Sequence, residues 1–375
     1  MSCAAVLIVA LAVLPPPQAA KARPQARPTP PKAARFEQLS RAAEQARQAN
    51  RDAEAILLYQ QALALKPEWE EGLWYLSTLE YDKARYAEAR DLLRRYVGQQ
   101  PKAGPGWALL GLCEFQTREY ARALDHLRQG MTLGVGGSKG LERSLFYYAA
   151  VLLTRFEMYD ESLRLLFEMA RSGQVESFLV EPAGLAALRL PLLPGEIPSD
   201  RKELVRLAGE GALAENNQRH DEAEKLFRSM AASAPNEPGV HFLLGAFLLN
   251  IRPEEGVREI QRELEISPFH VPARIRLAAE YVRQGKVDQG LAFAQEAVNL
   301  EPKNATAHMA AGDARVAKGD LSGGIRELET ARDLAPEIVG IRWALFRAYT
   351  SAGQSESARQ EKAAIEKLIQ PGTQP

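Results

Sequence analysis

Residues 271–302 read VPARIRLAAEYVRQGKVDQGLAFAQEAVNLEP. Leu277, Ala278 and Tyr281 fall on one face of a first helix, at spacings of one, three and four. Gly285 breaks the pattern where a turn is needed. Gly290, Ala294 and Ala297 share one face of a second helix, and Pro302 closes the unit. Small residues at the meeting face let two helix backbones approach closely, while large apolar residues fill the flanks. The same order recurs downstream at Ala311, Gly312, Gly319, Gly324, Leu328, Ala331 and Pro336, and the closing prolines 268, 302 and 336 lie 34 residues apart.

Upstream, Pro67 and Pro101 keep the same spacing. The unit ending at Pro67 carries Ala55, Tyr59 and Ala62. The next carries Leu73, Leu76, Ala89 and Leu93, and the third Trp107, Leu110, Gly111, Ala123 and Leu127 without a closing proline. A fourth runs from Phe146 to Met169 with Ala149, Ala150, Ser162 and Leu166. The fifth ends at Pro235 with Leu207, Gly211, Ala223, Phe227 and Met230, and the sixth at Pro268 with Leu244, Gly245 and Gly256. The ninth holds Leu345, Tyr349, Gly353 and Ala358. Paired helices at this period resemble the tetratricopeptide repeat. Trp107-x2-Leu110-Gly111 matches that family's opening. In the sixth unit, one residue short, Glu263 stands where the family places Ala, so a regular second helix is not expected there.

The resemblance implies an all-α, right-handed superhelical solenoid of about nine helix-turn-helix repeats with one irregular insert. The expected organisation is a signal peptide over 1–22, a proline-rich basic linker over 23–35, a first block of about four repeats over 36–171, the insert over 172–200, and a second block of about five repeats over 201–375, whose last helix caps the array. Within the insert, Ala183–Leu190 has a helical pattern and looks like the first helix of a lost repeat. Pro191, Pro194 and Pro198 forbid its second helix. Leu190, Leu192, Leu193 and Ile197 are too apolar for a free loop. The strip is expected to lie against the solenoid, or to act as a hinge or lid over its groove.

Composition narrows the function. The formal net charge is −1 over 375 residues, with both signs interspersed, which argues against nucleic acid as a partner. None of His126, His220, His241, His270 and His308 stands at metal-ligand spacing, and Cys-x-x-Cys and phosphate-loop motifs are absent. Cys113 has no His close in sequence and reads as a small buried hydrophobe. No catalytic constellation, cofactor site or metal site emerges, so the reading is a non-enzyme.

What remains is the groove. The family's first helices line the concave face, which commonly binds a peptide. The resemblance places Trp74, Tyr75, Tyr81, Leu112, Phe115, Tyr147 and Tyr148 there, with Arg276, Arg283 and Arg347 in a more basic second block. These are the candidate peptide-binding residues, aromatics being frequent interface anchors. The carboxylate clamp of chaperone-binding relatives, Lys and Asn at repeat positions 2 and 6, is missing: Glu37 and Arg41, Glu71 and Tyr75, and Pro105 and Leu109 stand there. The expected role is a protein-interaction scaffold or adaptor of a bacterial-type cell envelope, the alternative an accessory subunit of an envelope enzyme or of a secretion or assembly complex.

Export is read from Ala4–Leu14, an unbroken apolar run stopped by Pro15, Pro16 and Pro17 and followed by Ala20-Lys21-Ala22. The run is too short to span a bilayer as a helix and suits a signal h-region. Membrane contact is expected only through this N-terminal segment, and the expected location is periplasmic or secreted, or membrane-tethered where the segment stays uncleaved. N-terminal sequencing of the native protein is expected to begin near Lys21 or Arg23; an intact Met1 overturns this reading.

Overall fold

The computed structural model describes residues 31–171 and 177–369. The apolar run and residues 23–30 of the basic proline segment lie outside them. Contacts group the chain into two compact units, 1–84 and 85–375, and the 172–200 insert lies inside the second. The described residues form α-helices and two short 3-10 turns, with no strand. This is the all-α solenoid of paired helices that the sequence pattern predicts.

In the first unit, α1 (Lys32–Gln48) packs against α2 (Asp52–Leu65), and α2 against α3 (Glu70–Asp82). Helix α1 begins four residues earlier than the linker reading allows. Pro31 sits at its N-cap with φ −48°, and after this last proline nothing blocks Lys32-Ala33-Ala34-Arg35 from turning helical. Ala43, Ala46, Ala55 and Ala62 are fully buried in the seam beside Tyr59. The Tyr59 hydroxyl donates to Glu44 at 3.0 Å, and its ring stacks on Trp69 at 5.6 Å.

The second unit continues with α4 (Tyr86–Gln99), α5 (Gly104–Gln116), α6 (Tyr120–Leu133), α7 (Lys139–Arg155) and α8 (Tyr159–Arg171). Then come α9 (Val180–Ala187), α10 (Lys202–Asn216), α11 (His220–Ser233), α12 (Val240–Leu248) and α13 (Pro253–Ile266). The array ends with α14 (Val271–Arg283), α15 (Val287–Leu300), α16 (Ala305–Lys318), α17 (Leu321–Leu334), α18 (Val339–Ser351) and α19 (Ser355–Ile369). From α4 onward each helix packs on the next in sequence. First helices also meet one another, α5 with α7, α7 with α9, and α14 with α16.

Two backbone devices recur. Outside the sixth repeat, the first helix ends with a residue at positive φ, followed by an N–H that reaches back five residues. Arg118 has φ 62° and Glu119 N–H bonds Glu114 O at 2.8 Å; Gly319 has φ 91° and Asp320 N–H bonds Arg315 O at 2.9 Å. The second device joins repeats. A side-chain N–H near the start of a first helix donates to the carbonyl of the proline six residues before it. Trp107 bonds Pro101 at 2.9 Å, His241 bonds Pro235 at 2.9 Å, His308 bonds Pro302 at 3.0 Å, and Arg342 bonds Pro336 at 2.8 Å. The side chains differ, but each supplies an N–H donor. His241 and His308 are therefore structural histidines, each also held at Nδ1 by Glu259 or Glu327.

Helix α9 ends as a first helix does: Arg189 has φ 55° and Leu190 N–H bonds Leu185 O at 2.9 Å. Pro191 then blocks a second helix. The helix itself starts at Val180, before the Ala183 that the pattern suggested, because Pro182 is tolerated in a first turn. Helix α10 packs directly on α9. A Cβ on Gly184 would lie 1.9 Å from the Val205 carbonyl oxygen, and one on Gly209 would lie 2.0 Å from that of Val180. Only glycine permits this approach, and the crossed pairing of early with late residues makes the two helices antiparallel.

Contrary to the sequence reading, the second helix of the sixth repeat is regular over Pro253–Ile266. Glu263 is 0% exposed. Its carboxylate accepts the Gly239 N–H at 2.8 Å and the Phe242 N–H at 3.3 Å. It caps α12, whose N-cap Gly239 is left-handed and supplies no side chain. The family's Ala is the wrong residue here: Glu263→Ala is expected to destabilise by about 1 to 3 kcal/mol, because it orphans buried donors. Urea unfolding checks this, and an unchanged midpoint refutes it.

His270 caps α14, its Nδ1 accepting the Ala273 N–H at 3.1 Å. Burial, then nearby Arg189, pulls its pKa from 6.5 down to about 4. The folded state thus favours neutral imidazole. Its contribution is complete above pH 6.5 and is lost as pH falls toward 4, by up to about 3 kcal/mol. His270→Asn, which keeps a capping acceptor, is expected to flatten the loss of stability between pH 6.5 and 4; denaturant melts across that window measure it.

Candidate peptide-binding groove

The first helices α5 and α7 bring an aromatic cluster together. Phe115 and Tyr148 have ring centroids 4.5 Å apart. Tyr147 meets Tyr148 edge to face at 5.2 Å and Phe178 at 5.5 Å, and Tyr120 lies 5.5 Å from Phe115. The spacing follows from the repeat: α5 and α7 pack side by side with Ala108, Ala149 and Ala150 fully buried between helices, which turns the larger residues outward. Phe115, Tyr147 and Tyr148 are half-buried. Burial pushes the Tyr147 hydroxyl pKa up, with Tyr148 and Glu181 adding to the effect.

These rings form one wall of a cavity of about 570 Å3 with Arg118, Tyr120, Val151 and Arg155. Leu193, Pro194, Gly195 and Glu196 of the insert also line it. Arg155 Nη1 donates to the Pro191 carbonyl at 2.6 Å, and its guanidinium lies 3.8 Å from Glu196. The exposed Arg118 side chain makes no hydrogen bond or ion pair among the described residues. The site therefore offers aromatic faces, a free guanidinium and a tethered one. It suits an extended segment with apolar side chains and an anionic group.

The remaining predicted residues fall elsewhere. Leu112 is 2% exposed and belongs to the core. Trp74, Tyr75 and Tyr81 are half-buried in the first unit, where the Arg47 guanidinium lies 4.0 Å above the Tyr75 ring. Arg276, Arg283 and Arg347 are exposed. Arg283 is held by Glu280 through two hydrogen bonds of 2.8 and 2.7 Å. Glu215 and Asp313 have pKa values raised by burial and opposed by the charges of Arg276 and Arg347 respectively. Of the three arginines, Arg283 is thus already paired within its own helix. Sequence reasoning missed Trp343, 39% exposed and edge to face with Phe346 at 5.6 Å. It occupies the repeat position of Trp74, so the rule that selected Trp74 would have found it.

Cys113 is buried, and burial with the adjacent Glu114 charge pushes its thiol up to about 12, which removes it as a nucleophile at neutral pH. Among the described residues no group of His, Cys, Asp and Glu is placed to hold a metal ion, and no helix is long and apolar enough to cross a membrane.

A family profile described as tetratricopeptide repeat matches residues 76–130 and 275–337. The chain carries tetratricopeptide repeats over these residues, and proteins of that class are generally non-catalytic scaffolds for protein–protein interaction. Similar solved structures include MamA from Desulfovibrio magneticus RS-1, 19% identical over 46% of this chain and 98% of that chain, with TM-score 0.40. The APC/C Cut9–Hcn1 hetero-tetramer is 15% identical over 89% of this chain and 66% of that chain, with TM-score 0.42. No curated protein sequence matches the chain.

Proposed function

We propose that this chain is a non-catalytic scaffold or adaptor of a bacterial-type cell envelope, and that it holds an extended or helical segment of a partner protein in the groove of α5 and α7. The observation that carries the binding site is the half-buried Phe115, Tyr147 and Tyr148 wall facing an open volume of about 570 Å3. Aromatic side chains left at a concave surface bury their remaining apolar area when a partner covers them. The envelope assignment rests on the Ala4–Leu14 run, which lies outside the described residues.

Capture from an envelope extract with the mature chain tests the reading. Arg118→Glu reverses the one free charge at the mouth of the groove. It is expected to weaken partner capture at least tenfold while leaving stability within about 0.5 kcal/mol, as an unpartnered surface residue should. Capture unaffected by Arg118→Glu and by Tyr148→Ala places the contact elsewhere and ends this reading.

A further inference from the structure

The connection from α9 to α10 is longer than its geometry requires. The two helices are antiparallel and in backbone contact at Gly184 and Val205, so the C-terminus of one lies beside the N-terminus of the other. Such neighbours are usually joined by roughly 2 to 8 residues. Here the chain runs from Leu188 to Arg201 and detours across the aromatic groove.

The detour has two parts with different chemistry. Leu190, Leu192 and Ile197 pack into the core around Leu185 and Leu204 and anchor its two ends. The apex between them does not join the core. Leu193 and Pro194 are half-buried, while Gly195 and Glu196 are exposed. The apex is a single 3-10 turn, Pro194–Glu196, closed by the Glu196 carboxylate accepting the Leu193 N–H at 3.0 Å. Its ties to the groove are the two polar contacts of Arg155, with Pro191 O and Glu196. Both partners of the ion pair are more than a third exposed, and such contacts are weak.

Resting on the groove reading above, we propose that the strap apex, residues 193–196, is an internal competitor for the groove. A partner segment that binds there carries the same chemistry, an aliphatic–proline turn followed by a carboxylate, and takes over Arg155 as the apex lifts away. The core anchors at Leu190, Leu192 and Ile197 stay in place and keep the Pro191 carbonyl on Arg155, so lifting breaks only the Arg155–Glu196 contact and uncovers Tyr147 and Tyr148 without unfolding a helix.

A fluorescent peptide with the sequence of residues 189–198, RLPLLPGEIP, tests this in trans by anisotropy up to millimolar concentration. The probed protein is the full chain, compared with the variant Leu193→Gly, Pro194→Ser, Glu196→Ser, which removes the apex and keeps the anchors. The variant is expected to bind the peptide at least tenfold more tightly than the wild type, and adding Tyr148→Ala to it is expected to abolish binding. Equal affinity for wild type and variant, or no binding to a variant whose circular dichroism melt matches wild type, overturns the proposal. If these fail while Arg118→Glu still weakens partner capture, the groove stands and only the competitor is lost.

Discussion

The close approach of helix backbones is the constraint on which every other feature depends. Each repeat pairs its helices through residues with little or no side chain, and Ala43, Ala123, Ala294 and Ala331 are all completely buried at such seams. Because these seams admit no bulk, large side chains are displaced to the flanks. There they reach the next repeat, as Phe227 does against Phe247, or remain half-buried on the first helices, as Tyr147 and Tyr148 do. The candidate site is thus a consequence of packing: rings from α5 and α7 are neighbours because their helices are in contact. Where the array loses a helix, the same constraint reappears in its strictest form, with Gly184 and Gly209 bringing α9 and α10 together where even one methyl group would collide with a carbonyl oxygen.

Hydrogen-bond accounting explains the variation between repeats. A first helix needs its N-terminal donors satisfied and its preceding turn fixed. Trp107, His241, His308 and Arg342 are unlike in size and charge, yet each satisfies the same carbonyl. His270 and Asn304 cap α14 and α16 from their own N-cap positions. Glu263 does the work for α12 from the neighbouring helix. Buried charge is handled in the same way. Glu114, 0% exposed, is held by Arg94 at 2.9 Å and by His126 at 2.6 Å, and the Trp107 ring lies tilted 5.0 Å from that His126. A carboxylate taken out of water needs such partners to offset its lost hydration.

The insert converts a defect in the array into a feature of the groove. Pro191 ends the would-be second helix, and the freed chain carries apolar residues that water does not tolerate. Some of these return to the core and one short turn settles over the aromatic wall. The groove is consequently an asymmetric site, with a rigid side made by two helices and a lighter side made by a turn held through Arg155.

The sequence alone determined the repeat and hence the fold, because a period of 34 residues in small and large apolar positions can be satisfied only by stacked helix pairs. It also assigned Phe115, Tyr147 and Tyr148 to first helices, since repeat register gives each residue a face. It misjudged Glu263, Leu112 and Lys32–Arg35, where the outcome depends on what lies nearby in space or on the last proline in a run. The capping role of Glu263 is 24 residues from Gly239 in the chain and 2.8 Å away in the fold. No local pattern carries that information. Likewise the text of residues 190–197 shows that the strip must be covered, but only the tertiary structure decides which leucines enter the core and which stand over the groove, because that depends on the direction in which α9 leaves the chain and on the reach of Arg155.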